Sequence, residues 1–300
     1  MTRIKDGRIK DMHDLNIAVI GSINLDIVAR VDRFPLPGET LTDAILSHFP
    51  GGKGANQAIA ARRLGARVSM IACVGDDPAA DQALASLRDE GVDLRCCRPL
   101  EAVCTGTALI LVSAEGENQI VVAPGANAAF SPELLELPAS DAVIAQLEVP
   151  METVLEAARQ TKGFFCLNAA PAKAVPQAVL EQTDLLIVNE LEARAIGQQL
   201  SEYRGLLAIT YGSRGATLSR NGTEIARAQP PEVRVVDTTG AGDAFTAALT
   251  VGMAAGMSPE KALQQACVVG ALTTTRLGAQ SSPLEAEVSR SMIAFQPAAS

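Results

Sequence analysis

The 300 residues carry a formal charge of −9 and 48% of them are hydrophobic, which is enough apolar material for one large domain or two smaller ones. The acidic balance, without any basic run, argues against nucleic acid or an anionic membrane as a partner and favours a small molecule. We find neither an apolar run of roughly 20 residues nor a signal-peptide segment, so we expect a cytoplasmic protein. The six cysteines lack metal-ligand spacing, which indicates reduced thiols.

The amino-terminal part of the chain predicts a tail and then a first buried strand. Residues 1–16 are polar and aperiodic, so we expect the folded domain to span residues 17–300. A strand predicted at 17–23 delivers Asn24 and Asp26 at its carboxyl end. Because these residues lie two apart in an extended segment, they can project to one face and hold hydroxyl groups together. A plain polar loop is the alternative.

Two pairs of predicted strands are each joined directly, with few helices predicted beside them. Segments 26–31 and 39–49 are joined by a turn rich in Pro and Gly, and segments 107–113 and 119–123 form a second hairpin. We therefore expect a small β-sheet lid, formed by about residues 26–49 and 105–123, that stands off the main domain.

A glycine-rich segment follows the first hairpin and reads Gly51-Gly52-Lys53-Gly54-Ala55-Asn56-Gln57. It is not a P-loop, because Lys53 is followed by glycine instead of Ser or Thr. Glycine lets the backbone come close to a polar ligand, and Asn56 offers an amide in the first turn of the helix that follows. Lys53, taken alone, is more typical of a solvated surface charge.

Strands and helices alternate regularly from Arg67 onward. Strands are predicted at 68–74, 92–95, 142–146, 164–168, 185–188 and 206–210, with helices between most of them. This alternation predicts an α/β fold in which a mostly parallel sheet is sandwiched by helices. Polar residues that follow the strands, including Glu148, Asn189 and Glu192, would then meet at one edge of the sheet.

The segment Asp237-Thr238-Thr239-Gly240-Ala241-Gly242-Asp243 lies between a strand predicted at 233–236 and a helix predicted at 241–253. Gly240 and Gly242 leave the unpaired N–H groups of the helix N-terminus open, which suits an anion. Asp243 in the first turn could then serve as a general base beside a phosphoryl group. The motif alone equally allows a tight turn with Asp243 as a capping acid.

Four motifs together resemble the phosphofructokinase-B-type (PfkB) family of sugar kinases, and the resemblance covers nearly the whole chain from Ile17. They are Gly21-Ser22-Ile23-Asn24-Leu25-Asp26, the segment 51–57, Asn189 with Glu192, and the segment 237–243. The resemblance implies an α/β sandwich with a β-sheet lid. It also implies transfer of the ATP γ-phosphoryl group to the 5-hydroxyl of D-ribose, with ATP, Mg²⁺ and K⁺ bound. The exposed edges of such a lid favour a homodimer in which two lids pair.

The resemblance also implies a role for individual residues. The sugar would be bound by Asn24, Asp26, Gly52, Lys53, Asn56, Glu148 and Asp243. The catalytic group would comprise Asp243 as general base and Gly240, Ala241 and Gly242 as anion hole. ATP would be bound by Asn189, Glu192, Thr210, Gly212 and Ser213, and Glu192 would organise Mg²⁺ through water. A monovalent cation would be held, several times through backbone carbonyls, by Asp237, Thr239, Thr273, Arg276, Gly278 and Ser282.

The chain departs from the family pattern between Glu192 and Thr210, where it is shorter by about one helix, and this affects the edge of the nucleotide site. Tyr211 there either stacks near the nucleotide or caps the shortened edge. The acceptor is open among ribose, deoxyribose, another sugar and a nucleoside. A sugar or nucleotide sensor without catalysis is a further alternative, although it would be expected to lose Asp243 or the glycines.

Overall fold

Two β-sheets form the framework of the protein, which a computed structural model describes from residue 10 to residue 294. The strands are β1 Asn16–Ile20, β2 Asn24–Arg30, β3 Ile45–Gly51, β4 Arg67–Gly75, β5 Asp93–Leu100, β6 Gly106–Val112, β7 Asn118–Ala123, β8 Ala142–Gln146, β9 Phe164–Asn168, β10 Leu185–Asn189, β11 Leu206–Thr210, β12 Ala216–Arg220 and β13 Thr223–Ala228. The α-helices are α1 Lys53–Arg63, α2 Pro78–Asp89, α3 Met151–Gln160, α4 Gln177–Leu180, α5 Glu190–Ile196, α6 Gln199–Glu202, α7 Ala241–Ala254, α8 Pro259–Thr273 and α9 Glu285–Ala294.

The large sheet has the order β13-β12-β11-β10-β9-β8-β1-β4-β5. Its strands are parallel from β11 to β5, and β12 and β13 join them antiparallel. Strands such as β8 and β9 are buried along their whole length, which is typical of a parallel sheet covered on both faces. Helices α1, α2, α7 and α8 cover one face, and α3, α4 and α5 cover the other. The predicted α/β sandwich is therefore confirmed.

The small sheet has the order β3-β2-β6-β7 and contains the two predicted hairpins. Strand β2 pairs antiparallel with β3 and parallel with β6, so the hairpins lie side by side in one sheet. Its outer strand, β7, is exposed along its length. We call this sheet, with the turns inside its hairpins, the lid.

The lid differs from the prediction in where its strands begin. Asn24, which we expected at the end of the first strand of the main sheet, is the first residue of β2, because β1 already ends at Ile20. Strand β3 begins at Ile45 instead of residue 39. Glu39 is held in the preceding loop by an ion pair with Arg33 and by the backbone N–H of Leu36.

The strand predicted at 233–236 is not formed. Its β-branched residues lie in an irregular loop in which Val235 and Val236 are exposed. The backbone N–H of Val236 donates to the carbonyl of Thr274 at 2.7 Å, so this segment pairs with the end of α8 instead of a strand.

Residues 10–16, which belong to the predicted tail, pack against the domain. The backbone N–H of Lys10 donates to the carbonyl of Ala255 at 2.8 Å, its ammonium pairs with Asp141, and Leu15 is fully buried. Residues 1–9 of the predicted tail lie outside the described residues. Between residues 10 and 294 we find no helix with the length and apolarity needed to cross a bilayer.

Candidate active site

The candidate site lies at the edge of the large sheet where its parallel strands end. Strands β8, β9 and β10 end in the amides Gln146, Asn168 and Asn189, and β11 ends in Thr210. Helices α1 and α7 begin at the same edge and pack against each other there, so their first turns contribute side chains to the site. This arrangement brings together polar groups that are far apart in the sequence.

Asp243 is a buried carboxylate of this edge, with 7% of its surface exposed. It lies in the first turn of α7, and both of its oxygens accept hydrogen bonds from α1. The Nδ2 of Asn56 donates to Oδ2 at 2.8 Å, and the Nε2 of Gln57 donates to Oδ1 at 2.9 Å. The structure therefore joins two segments of the sequence pattern, 51–57 and 237–243, through this one carboxylate.

Gln57 also bonds to the ends of two strands. Its Nε2 donates to Oδ1 of Asn168 at 3.1 Å, and its Oε1 accepts from the Nε2 of Gln146 at 2.6 Å. The sequence analysis did not assign a role to any of these three residues. A signal was available, because Gln146 and Asn168 are single amides that end otherwise apolar strands.

The first turn of α7 is open toward the site. Gly240 has φ +78°, and a Cβ atom there would lie 2.1 Å from the carbonyl oxygen of Ala279. Gly242 differs, because a Cβ atom there would meet nothing within 4 Å. The backbone N–H groups of the helix N-terminus therefore face unobstructed space, which is the geometry of an anion site.

A cavity of about 690 Å³ adjoins this helix N-terminus. The predicted anion-hole and nucleotide residues that line it are Thr210, Gly212, Ser213, Ala241 and Gly242. Most of the rest of its wall comes from the loop 230–238 and from the second half of α8. Its volume lies within the range of roughly 300–1,000 Å³ that is usual for small-molecule sites.

Asn189 and Glu192 lie at the start of α5, where they cap the helix. The side chain of Asn189 accepts from the backbone N–H groups of Leu191 and Glu192, and Glu192 accepts from the N–H of Asn189 at 2.7 Å. Burial raises the pKa of Glu192, which opposes its ionisation, although the backbone bond and Lys53 lower it. The signal that we took for a ligand site is therefore also an N-terminal capping box.

A second group of charged residues lies where the lid meets the domain. Burial, followed by repulsion from Glu148, raises the pKa of Asp26 to about 6. The carboxylate of Glu148 accepts from the Ser22 hydroxyl and from the backbone N–H of Lys53. Attraction to Asp243, and then to Glu148 and Glu192, raises the pKa of Lys53 in spite of its burial. Lys53 is thus enclosed among carboxylates, contrary to the solvated surface position that is usual for lysine.

Asn24 and Gly52 fix the junction between lid and domain. The Oδ1 of Asn24 accepts from the Nδ2 of Asn127 at 2.8 Å, and Asn127 also bonds to both backbone polar groups of Ile23. Gly52 has φ +91°, and a Cβ atom there would lie 2.8 Å from the backbone of Asn24 and of Ser22. The sequence analysis assigned no role to Ser22, although it stands in the motif 21–26, and missed Asn127, which belongs to no motif.

Tyr211 lies between Thr210 and Gly212, two residues that line the 690 Å³ cavity. The Arg214 guanidinium lies 5.4 Å from the centroid of its ring and also pairs with Glu190 on α5. The Tyr211 hydroxyl lies 3.3 Å from the Thr217 hydroxyl. The side chain therefore caps the loop 211–214 in this structure.

The predicted monovalent-cation residues also come together. The Oδ1 of Asp237 accepts from the backbone and hydroxyl of Thr239, and its Oδ2 accepts from the N–H of Gly278 at 2.9 Å. Partial burial opposes ionisation of Asp237, but these hydrogen bonds outweigh it and lower the pKa.

Three other residues of the predicted cation set also make hydrogen bonds or ion pairs within the protein. The carbonyl of Thr273 accepts from the Ser281 hydroxyl, and the side chain of Arg276 pairs with Glu287. The Ser282 carbonyl accepts from Arg63, while the Ser282 hydroxyl is buried without a hydrogen-bond partner among the described residues. In the described part of the chain we find no cluster of three or more His, Cys, Asp and Glu residues able to hold a metal ion by themselves.

Comparison with known proteins gives a consistent result. Residues 14–287 match the pfkB family carbohydrate kinase. A ribokinase of Bacillus subtilis (strain 168) is 39% identical over 279 residues, which cover 88% of this chain and 94% of that protein. A deoxyribokinase of Salmonella typhi is 33% identical over 294 residues, which cover 89% and 95% of the two chains. The structure of Arabidopsis thaliana ribokinase complexed with ribose and ATP is similar with a TM-score of 0.84 and 29% identity, over 92% of this chain and 98% of that one. The chain therefore belongs to the pfkB family of carbohydrate kinases.

Proposed function

We propose that this protein transfers the γ-phosphoryl group of ATP to the 5-hydroxyl of D-ribose. The observation that carries the proposal is the position of Asp243, a buried carboxylate beside the open N-terminus of α7. Lys53 attracts it, Glu148 lies near Lys53, and Asp26 lies near Glu148, so these groups offer charged partners for sugar hydroxyls. The 690 Å³ cavity adjoins the first turn of the same helix. The similarity to ribokinases, including one complexed with ribose and ATP, supports this choice of substrates.

The sugar would lie at the junction of lid and domain, held by Asn24, Asp26, Gly52, Lys53, Asn56 and Glu148. Carboxylates and amides suit this task because each can accept or donate several hydrogen bonds to neighbouring hydroxyls. Lid closure over the sugar would exclude water and so suppress ATP hydrolysis.

The transfer would use Asp243 as the general base. The transition state of phosphoryl transfer is loose, so the hydroxyl needs little activation at first and the transferred oxygens need much stabilisation of charge. The N–H groups at Gly240, Ala241 and Gly242 would stabilise those oxygens, while Asp243 orients the hydroxyl and receives its proton late. Asn189, Thr210, Gly212 and Ser213 would hold ATP.

Two cations belong to the proposal. Mg²⁺ would neutralise charge on the phosphate oxygens, and Glu192 is the carboxylate that we assign to its water ligands. K⁺ would be held beside the anion hole by Asp237, Thr239, Thr273, Arg276, Gly278 and Ser282. The unpartnered hydroxyl of Ser282 supports this assignment, because a buried oxygen without a partner favours a ligand.

A second candidate acceptor is 2-deoxyribose, which the similarity to a deoxyribokinase favours. Both reactions need the same base and anion hole and differ only in the contacts of one hydroxyl. A sensor without catalysis receives less support, since Asp243 and both glycines are retained in an open arrangement.

The role of Asp243 can be tested with Asp243→Asn, which keeps the size of the side chain and removes the base. We expect kcat with ribose to fall by about 10²- to 10⁴-fold while ATP binding is retained. The measurement is ADP release with Mg-ATP and K⁺ against ribose, 2-deoxyribose, other sugars and adenosine. Wild-type turnover by this variant would remove Asp243 from the role of base, and preference for another acceptor would correct the substrate.

The sugar affinity should depend on the ionisation of Asp26. Because its pKa is raised from 3.8 to about 6, this carboxyl is ionised above pH 6 and loses an acceptor as the pH falls through that value. We expect the KM for ribose to rise between about pH 7 and about pH 5, by up to about tenfold per unit, while the KM for ATP changes much less. A ribose KM that stays flat over this interval contradicts the binding role of Asp26.

Potassium should activate the enzyme. We expect faster turnover in potassium than in sodium-only buffer, because a cation beside the anion hole strengthens its field at the phosphoryl group. Asp237→Asn should abolish the difference between the two buffers. Equal wild-type rates in both buffers would argue against a potassium site.

Two copies should associate through their lids. Leu109 and Val121 lie opposite each other on β6 and β7, on the face away from Asp26, and both are more than half exposed. We expect the wild type to be a dimer by light scattering and Val121→Lys to be a monomer, because a charge cannot be buried in an apolar interface without a large cost. Ile293→Lys, which changes an exposed residue of α9, is the matched control. A monomeric wild type refutes the dimer.

A further inference from the structure

Asp243 is held by two neighbouring residues of α1 in two different ways. Gln57 bonds its Oδ1 and is itself bonded to the ends of two strands, whereas Asn56 bonds its Oδ2 alone. We propose that Gln57, supported by Gln146 and Asn168, is a positioning residue that holds Oδ1 fixed and leaves Oδ2 as the oxygen that receives the acceptor's proton. This inference rests on the proposed function and adds an assignment of atoms and of a supporting residue.

The hydrogen-bond chemistry allows only one orientation of Gln57. An ionised carboxylate only accepts, so Gln57 must present its NH₂ group to Asp243. The second N–H of that group is taken by Oδ1 of Asn168, and the remaining Oε1 is taken by Gln146. Rotation of the amide would turn Oε1 toward two acceptor oxygens. Gln57 is completely buried, so water cannot compensate for that loss.

The support for Gln57 comes from two adjacent central strands of the large sheet. Gln146 and Asn168 lie opposite each other in the register of β8 and β9, inside the parallel sheet. Gln146 is also confined by Gly21, where a Cβ atom would lie 1.9 Å from its Oε1. Hydrogen bonds through Gln57 therefore hold Oδ1 of Asp243 in place relative to the sheet, without the help of a surface loop.

Asn56 is held more weakly. Only its Nδ2 has a partner, and its buried Oδ1 has none within residues 10–294. A sugar hydroxyl would supply the missing donor. Because Asn56 belongs to the proposed sugar ligands, its amide can turn to the sugar and release Oδ2 of Asp243 when the acceptor binds.

The proton balance then assigns the two oxygens. As the acceptor oxygen forms its bond to the γ-phosphorus, the bond from that phosphorus to ADP breaks and the hydroxyl proton passes to Oδ2. The product leaves as a phosphate ester, and the proton is later released to solvent. The charged groups that face Asp243 in this step are Lys53 from α1 and Glu192 from α5.

The test compares Gln57→Met, Asn56→Ala and Gln146→Met in the full-length enzyme. We expect Gln57→Met to lower kcat by about 10- to 100-fold, because a base displaced by about 1 Å loses that much. Its ribose KM should change little, and the acidic limb of its kcat profile should move to higher pH, because a hydrogen bond to the ionised form is lost. Gln146→Met should show the same changes in weaker form.

Asn56→Ala should affect KM and not the pH profile. We expect its ribose KM to rise by about tenfold and the acidic limb of its kcat profile to stay unmoved. Gln265→Met is the matched control, because Gln265 is a buried glutamine of α8 whose Nε2 has no partner among the residues described. We expect its kcat and pH profile to equal those of the wild type, and thermal unfolding of every variant checks that it is folded.

The outcomes separate this inference from the function on which it rests. A folded Gln57→Met with the kcat and pH profile of the wild type overturns it, even if Asp243→Asn is inactive. A loss in Gln57→Met that appears only as a raised KM, or that Gln265→Met shares, overturns it as well, because either result indicates a general structural effect. If the wild type phosphorylates none of the acceptors, the proposed function fails and this inference falls with it.

Discussion

The site depends on one close backbone contact, at a position where only glycine fits. Gly240 is in the left-handed region and lies against the carbonyl of Ala279 so closely that a Cβ atom would collide with it. This contact joins the first turn of α7 to the loop that follows α8, and it leaves the helix N–H groups facing open space. It also fixes Asp243, which comes three residues later, and brings the loop 273–282 to Asp237. A residue with a side chain at position 240 would therefore disturb several parts of the site together.

The electrostatics of the site are unusual for an enzyme that handles a polyanion. The Lys53 ammonium attracts the carboxylates of Asp243, Glu148 and Glu192, and the carboxylate of Asp26 lies near that of Glu148. Burial, followed by repulsion from Glu148, raises the pKa of Asp26, so that this carboxyl holds its proton up to about pH 6. Attraction for ATP must therefore come mainly from the dipole of α7 and from bound cations, which is consistent with the proposed need for both Mg²⁺ and K⁺.

The sequence predicted best what depends on local apolar pattern. Strands such as β8, β9 and β11 are unbroken apolar runs between helices, so their bounds and the α/β class followed directly. Segment 233–236 is also rich in strand-forming residues but lies in a loop, because the backbone N–H of Val236 donates to a carbonyl at the end of a helix. Composition cannot distinguish these two cases, since the difference is made by a distant residue.

The site residues that belong to a sequence motif could be predicted. The residues that only hold a motif residue in place could not. Asp243, Asn56 and the glycines stand in recognisable segments, and their position at one edge follows from the parallel sheet. Gln146 and Asn168 become meaningful only when the register of β8 with β9 places them beside Gln57. Asn24 was expected at the end of the first main-sheet strand because that strand was predicted to continue to residue 23, whereas β1 ends at Ile20 and Asn24 begins β2 of the lid.

The near absence of aromatic residues gives the protein an optical property. It has no tryptophan and only two tyrosines, so its intrinsic fluorescence arises from Tyr203 and Tyr211 alone. Tyr203 is buried, with its hydroxyl bonded to the carbonyl of Thr183, whereas Tyr211 lies beneath Arg214 and between two residues that line the 690 Å³ cavity. Any change in emission caused by a nucleotide in that cavity would therefore come from one identified ring, and Tyr211→Phe would convert the signal to that of the buried tyrosine. The molecule thus carries its own optical probe of this cavity, without labelling.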